Sequence, residues 1–299
     1  MKTGRYILFF ALLLIFISGC KPKEDNPPLR VGLMSDVNSI PYIVAKQQGY
    51  LDGVAELTVF RSAMDRDSAL HSGSLDGCSS DALAVCLARN GGFPMYITGV
   101  TDGNYGLLAG ASSGITDASG LRGREIAMSL NTIIEYVSDC ILSDLGVDPG
   151  AVLKTAVPQT PIRLELLEAG QIDAIAVPEP YVFTAAQGGA AVIGTALELG
   201  IRPAVMCFTA DAIETRPDDL KKLAAAYDRA LEYMARTPDF LPAVIEELGL
   251  PESTLEMTLP DYRPSGLPEP VQVERAAQWL FDKGLVDELY TYGELVWKP

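Results

Sequence analysis

The sequence predicts an α/β fold that is rich in parallel strands and built from two similar units. Short apolar segments with strand character alternate with helical patterns through most of the chain, as expected for successive βαβ units. Two short motifs also recur in the same order, 93 and 97 residues further on. The composition, with 48% hydrophobic and 21% charged residues, is that of a globular protein and excludes the disordered and fibrous classes.

The individual elements follow from local patterns. Runs of apolar and β-branched residues between turn residues predict strands over 29–34, 56–60, 95–100, 125–129, 173–177 and 204–209. Apolar spacing of three and four predicts helices over 40–48, 65–72, 81–89, 132–145, 161–169 and 180–187. After Pro217 the chain is mainly helical, with helices predicted over 218–236, 239–248 and 271–283.

An internal repeat relates the two halves of the α/β region. Gly73 and Asp76 recur as Gly170 and Asp173, 97 residues later, each time between a helical stretch and a strand. The helix start at Asn38 recurs 93 residues later at Asn131. The matching order and similar offsets predict two similar lobes, which would form a ligand cleft where they face each other.

The N-terminus has the features of an export signal. Lys2 and Arg5 precede an unbroken apolar run over residues 6–17, which is shorter than the roughly 20 residues that a spanning helix needs. Small residues then lead to Cys20, an arrangement that resembles the bacterial lipoprotein signal, in which this Cys is lipidated. We therefore expect a signal peptide over residues 1–19, a lipid anchor at Cys20 and a polar, Pro-rich tether over residues 20–28.

Charge and cysteine content exclude further classes. The net charge of −16 argues against nucleic acid as a partner. The remaining cysteines match no zinc or redox spacing, and their apolar neighbours favour buried free thiols over disulfides, which an exported protein could also form. These cysteines are Cys78, Cys86, Cys140 and Cys207.

Signals for catalysis are scarce. The single histidine, His71, lies in a helical stretch and is expected to be a packing or surface residue. No nucleophile–histidine pair and no Gly-rich phosphate loop occurs in the sequence. We therefore predict no catalytic residue, no metal and no cofactor.

Candidate ligand-binding residues follow from topology, because ligands of open α/β sheets bind beyond the carboxyl ends of the strands. The loops there carry helix starts, whose free backbone N–H groups can hold a polar or anionic group. Asn38 or Ser39 is expected to cap the first helix, and simple capping is the competing interpretation for several candidates. The candidates are Asn38, Ser39, Tyr42, Ser80, Asp81, Thr101, Asp102, Ser129, Asn131, Thr132, Glu179 and Tyr181.

The charges of these loops bear on the ligand. They contain four acids and no Lys or Arg, so the cleft is expected to lack a basic residue. Tyrosines in the same loops can stack on a planar ring or a cation. This favours a neutral or cationic heterocycle over sulfonate or nitrate. Arg163 is the nearest basic candidate, and we interpret it as a surface or inter-helix salt-bridge residue.

Several segments together resemble the solute-binding proteins of nitrate/sulfonate/taurine-type importers. That superfamily also includes binders of thiamine-pyrimidine precursors and yeast-type enzymes that make this pyrimidine. The resemblance covers roughly residues 29–240. It rests on Leu29–Leu33, Ile40–Ala45, Gln48–Leu51, Ser72–Asp76, Ser80–Asp81, Leu121–Ala127 and Gly170–Pro180.

The resemblance implies a type II periplasmic-binding-protein fold, with two α/β lobes joined by two hinge strands. Residues 29–107 and 204–299 would form the first lobe and 108–203 the second, with crossings near 105–110 and 202–209. Together with the lipoprotein signal at Cys20, it leads us to expect a monomer that is lipid-anchored on the periplasmic or extracellular face. There it would capture a small molecule and deliver it to an ABC permease and its ATPase.

Two alternatives share the fold. One is a ligand-sensing module for a membrane partner. The other is an enzyme of pyrimidine or quinone-precursor metabolism, against which the export signal and the scarcity of catalytic residues argue.

Overall fold

The structure, a computed structural model, describes residues 27–298. The predicted signal peptide, Cys20 and most of the predicted tether lie outside the described residues. Residues 27–298 form two five-stranded mixed sheets flanked by helices, which confirms the predicted α/β class. None of the helices in this range combines the length and apolar character needed to cross a bilayer.

The first sheet has the strand order β2-β1-β3-β10-β4. β1 pairs in parallel with β2 and β3, and β10 runs antiparallel between β3 and β4. Its strands are β1 (Leu29–Met34), β2 (Ala55–Phe60), β3 (Gly77–Asp81), β4 (Met95–Val100) and β10 (Ala204–Thr209).

The second sheet repeats this arrangement with the order β7-β6-β8-β5-β9. β6 pairs in parallel with β7 and β8, and β5 runs antiparallel between β8 and β9. In each sheet the antiparallel strand is the one that the chain enters from the other sheet. The strands are β5 (Tyr105–Ala109), β6 (Glu125–Met128), β7 (Leu153–Ala156), β8 (Ala174–Pro178) and β9 (Ala191–Thr195).

The helices bury the faces of both sheets. In the first lobe, α1, α8 and α9 pack on a cluster that includes Leu29, Val31 and Leu33 of β1. A second cluster joins α3 and α10 to α4 of the second lobe, so apolar packing is continuous between the lobes. The helices are α1 (Ile40–Gln47), α2 (Ala63–His71), α3 (Ala82–Asn90), α4 (Ile133–Asp144), α5 (Thr160–Glu168), α6 (Tyr181–Gln187), α7 (Ala210–Thr215), α8 (Pro217–Met234), α9 (Leu241–Leu248), α10 (Pro270–Asp282) and α11 (Tyr292–Leu295).

The chain passes between the sheets over residues 101–104 and 196–203. Since β5 lies wholly in the second sheet, sheet membership favours a boundary before Tyr105 rather than after Leu107. The lobe boundaries remain our proposal. Asp102 lies in the first passage and binds both Arg202 and Arg263, which links the two passages to the C-terminal segment.

The internal repeat of the sequence has a structural counterpart. Asp76 accepts a hydrogen bond from the backbone N–H of Arg30 at 2.8 Å, and Asp173 accepts one from the N–H of Glu125 at 3.2 Å. Both carboxylates thus hold the start of the neighbouring parallel strand. Gly73 and Gly170 both have positive φ, which explains why glycine stands at both positions.

The structure corrects the predicted cap of the first helix and gives the state of the four cysteines. The first helix is not capped by Asn38 or Ser39: the side chain of Asp36 accepts the N–H of Asn38, and the Ser39 hydroxyl donates to the carbonyl of Met34. The four cysteines at positions 78, 86, 140 and 207 are free thiols, and Cys140 is the one that is only half-buried. Cys78 and Cys207 lie opposite each other on β3 and β10.

Candidate functional site

A cavity of about 60 Å³ lies between the lobes. The carboxyl ends of β1, β3 and β4 face it from the first lobe, and those of β6 and β8 face it from the second. This is the position where open α/β sheets bind ligands. Six of the twelve predicted residues line the cavity, namely Asn38, Ser80, Asp81, Thr101, Ser129 and Thr132.

Two arginines that the sequence reasoning did not place in the site also line the cavity. Arg66 and Arg163 are 97 residues apart, the offset that relates Asp76 to Asp173. Each is the fourth residue of its helix, α2 and α5 respectively. The cavity is therefore faced by one arginine from each repeat. The expectation that the cleft lacks a basic residue is wrong, because these side chains reach it from helices rather than from the loops.

The two arginines differ in their partners. The guanidinium of Arg66 donates to the carboxylate of Asp67 and to the carbonyl of Ser79. Arg163 is only 1% exposed and donates to the carbonyl of Val157 and the hydroxyl of Thr160. No carboxylate of residues 27–298 forms an ion pair with it, and burial lowers its pKa to about 10. The interpretation of Arg163 as a salt-bridge residue is therefore also wrong.

Unpartnered polar atoms converge on the same cavity. Among the described residues, five buried side-chain nitrogen or oxygen atoms have no hydrogen-bond partner, and four belong to side chains that line this cavity. Leaving such a group unpaired costs about 1–3 kcal/mol, so a concentration of them marks a place where a ligand or water supplies partners. The four atoms are Asn38 Oδ1, Ser80 Oγ, Thr101 Oγ1 and Arg163 Nε.

Helix starts contribute further groups. Asp81 and Thr132 are the N-cap residues of α3 and α4, and both line the cavity. Their side chains accept the N–H groups of Ala84 and Ile134. The partial positive charge of the two helix starts is thereby directed toward the cavity.

The acids of the site are buried and their ionisation is disfavoured. Burial raises the pKa of Asp36 to about 6, against hydrogen bonds from Asn38 that lower it. Burial also raises the pKa of Asp81, although the nearby guanidinium of Arg66 opposes this. The hydroxyl of Tyr105 accepts from Asn38 Nδ2 at 3.3 Å, across the cleft. The cavity therefore presents one arginine without an acidic partner on the second lobe and two buried carboxyls on the first.

The other six predicted residues do not line the cavity, and each has another role. Ser39 and Asp102 have the contacts given above, and Tyr42 packs on Tyr227 inside the first lobe. Glu179 accepts the N–H of Phe183 in α6, and Tyr181 lies in the core of the second lobe.

Asn131 is the last of these six. It is exposed and has a φ of 57°, the left-handed conformation that asparagine tolerates, at the turn into α4. A hydrogen bond at a helix start therefore explains Glu179, and core packing explains Tyr42 and Tyr181.

Two mixed sheets that exchange their antiparallel strands, with a cleft at the carboxyl ends of the parallel strands, define a two-lobed periplasmic-binding-protein fold. The sequence of residues 36–240 matches the NMT1/THI5-like family. Because the match spans more than half of the chain, the protein belongs to this family. No curated protein shows significant similarity to the chain.

Solved structures confirm the fold. The alkanesulfonate-binding protein SsuA from Xanthomonas axonopodis pv. citri, bound to MOPS, aligns with a TM-score of 0.79 and 18% identity, covering 92% of this chain and 99% of the other. The periplasmic aliphatic sulphonate binding protein SsuA from Escherichia coli gives 0.75 and 19%, covering 92% and 93%. The ligand-binding component of an ABC-type import system from Staphylococcus aureus, with zinc bound, gives 0.75 and 13%, covering 91% and 97%.

Proposed function

We propose that this protein is an extracytoplasmic, lipid-anchored solute-binding protein that carries a small organic anion of the sulfonate class to an ABC-type importer. The ligand would lie in the cavity between the lobes, with its anionic group on Arg163. Similar structures carry names that include alkanesulfonate binding and ABC-type import, which supports this choice of ligand and partner.

The observation that carries the proposal is the state of Arg163. A buried guanidinium without an acidic partner is costly, and an anionic ligand would supply the missing charge and the acceptor for Nε. The serine, threonine and asparagine side chains around the cavity would complete the hydrogen bonds. Asp36 and Asp81 would be left for a donor group elsewhere on the ligand, such as an ammonium.

Binding of paired ligands tests this assignment. We expect ethanesulfonate to bind at one site per chain after bound cargo has been removed by unfolding and refolding, as measured by isothermal titration calorimetry. Arg163→Met should weaken binding roughly 10- to 100-fold, since a hydrogen bond to a charged group contributes about 1.5–3 kcal/mol. Taurine, which adds an ammonium to the same skeleton, should bind more tightly if Asp36 or Asp81 accepts that group.

Arg122→Met is the matched control, because Arg122 is exposed on the same lobe and donates only to the carbonyl of Gly146. It should leave affinity unchanged. Arg163→Met should not lower the unfolding midpoint, because it removes a buried charge that has no acidic partner. Unchanged sulfonate affinity in Arg163→Met would contradict the proposed site. Conversion of the ligand, detected by NMR after prolonged incubation, would favour the enzyme alternative.

The lipid anchor makes a separate prediction. Cys20→Ala should remove the acylated residue, so the protein should move from the membrane fraction to the soluble fraction when expressed in its own envelope. Fractionation and immunoblotting measure this, with Cys140→Ala as the control that keeps Cys20. Retention of the Cys20→Ala protein on membranes would exclude this anchor without affecting the ligand assignment.

A further inference from the structure

A second cavity lies inside the first lobe and shares no lining residue with the cleft. Its volume is about 230 Å³, compared with about 60 Å³ for the cleft cavity. It lies between the end of β4, the strand β10, the helix α8, and the loop at residues 265–267. The proposed solute function does not use it.

The walls of this cavity are mainly apolar, and Tyr42, Thr98, Tyr227 and Ser265 bring hydroxyls to it. Val100, Met206, Phe208 and Leu223 line it, and no Asp or Glu of residues 27–298 does. Tyr227 also lines it, is 1% exposed, and has a hydroxyl without a hydrogen-bond partner. This is the one unpartnered buried side-chain atom of the described residues that lies outside the cleft lining. A phenol in apolar surroundings favours an occupant that offers it an acceptor.

The cavity has a mouth that a ligand could use. The loop over it is held by Ser265, which donates from its N–H and its hydroxyl to Asp228, and by the carbonyl of Gly266, which accepts from the N–H of Val100. Leu267 is exposed at this edge, and Trp297 is half-buried there. Among residues 27–298, Lys221 is the one charged residue in the lining, and its side chain is largely exposed and lies near Asp218.

We infer that this cavity is a second binding site, for a small uncharged molecule with an apolar ring or chain and one hydrogen-bond-accepting oxygen that meets Tyr227. Within residues 27–298 the lining has no acid to hold a cation, and its single cation, Lys221, is largely exposed, so the lining favours an uncharged occupant. An apolar cavity of about 150 Å³ holds benzene, so a cavity of about 230 Å³ has room for a compound of that size. The site is independent of the cargo held in the cleft.

Fluorine NMR titration with two matched probes tests this inference on the full-length protein. The probes are para-fluoroacetophenone, which carries an accepting oxygen, and para-fluoroethylbenzene, which does not. Both should bind. Tyr227→Phe removes only the hydroxyl and should weaken the ketone about fivefold to tenfold while leaving the ethylbenzene within about twofold, in line with one hydrogen bond. Ala224→Leu, on the helix that lines the cavity, should block both probes.

The cleft variant Arg163→Met separates the two sites and should bind both probes as the unaltered protein does. The unfolding midpoint of each variant shows that the lobe is still folded. The inference is overturned if neither probe binds the unaltered protein, if Ala224→Leu leaves binding intact, or if Tyr227→Phe affects the two probes equally. Loss of probe binding in Arg163→Met would place the probes in the cleft and also overturn it.

Discussion

Two residues of the cleft have ionisation shifted by burial in opposite senses. Burial raises the pKa of Asp36 to about 6 and lowers the pKa of Arg163 to about 10. In each case removal from water disfavours the charged form. An anion beside Arg163 would favour its charged form, and it would further disfavour ionisation of Asp36. The charge state of Asp36 should therefore influence the affinity for an anion near neutral pH.

Ethanesulfonate affinity should rise as the pH falls from 7.5 to 5.5. Asp36 is ionised above its pKa of about 6 and repels the anion, whereas below that pH it becomes neutral, and the sulfonate keeps its charge throughout. A change of about tenfold corresponds to a repulsion of roughly 1.4 kcal/mol. Asp36→Asn keeps an N-cap side chain and should flatten this dependence. Calorimetry at several pH values measures it, and an equally steep profile in Asp36→Asn would contradict the role of Asp36.

At the scale of elements, α10 joins the two lobes, since it packs on α3 of the first and contacts α4 of the second. Lys283, directly after α10, and Lys154 of β7 both donate to Glu135 of α4, and Trp279 of α10 donates to Asp139. The second carboxylate oxygen of Glu135 accepts the N–H of Asn131, in the turn that leads into α4 at the cavity. Glu135 is buried, which would raise its pKa, but the two lysines and the Asn131 N–H together lower it. This carboxylate therefore stabilises both the contact between lobes and the cleft turn.

Glu135→Gln should destabilise the protein by about 2–3 kcal/mol at pH 7, because it removes the common anion of two lysines at a buried position. Denaturant unfolding measures the change. Since the folded pKa of Glu135 lies below its ordinary value of 4.5, this contribution is present above that pH and is lost as the pH falls through the folded value.

The control is Glu232→Gln, at an exposed pair with Arg236, where a loss of stability below about 0.5 kcal/mol is expected. If both variants lost the same free energy of unfolding, Glu135 would contribute no more than an exposed ion-pair residue does.

The elements show how far the sequence predicts the fold. Helices such as α1 and α10 were predicted to within one residue at each end, because apolar spacing and turn residues mark them. β3 was missed because its sequence, Gly-Cys-Ser-Ser-Asp, is small and polar although every residue is buried. β7 was missed for the opposite reason: it is a largely unburied edge strand and has no apolar pattern.

The sequence predicts the site residues at strand ends but not the two arginines on helices. Residues at strand ends, such as Ser80 and Thr101, follow from topology. Arg66 and Arg163 lie one turn inside their helices, away from the strand ends. They reach the cavity because their side chains are long. Applying the repeat offset of 97 to charged residues would have paired them, and this is the signal that the sequence offered.

At the scale of the whole molecule, the two lobes are related by the repeat but not by chain continuity. Residues 105–203 supply every strand of the second sheet, whereas the first sheet combines strands from both sides of that segment. One cavity lies between the lobes and another inside the first, so cargo and an apolar compound would occupy separate places. Occupancy of the inner cavity would stabilise the first lobe through linkage without competing with the cleft.

The place of β10 has a consequence for the order of folding during synthesis. Strand β10 lies beside β3 in the sheet, with Cys207 opposite Cys78, which stands 129 positions earlier in the chain. Until β10 emerges, β3 keeps an open edge, and the early part of the chain can aggregate through it. The second lobe needs no later strand for its sheet, so it can close first. The second sheet can therefore form before the first sheet is complete. An export route that keeps the chain unfolded until translocation would protect the open edge of β3.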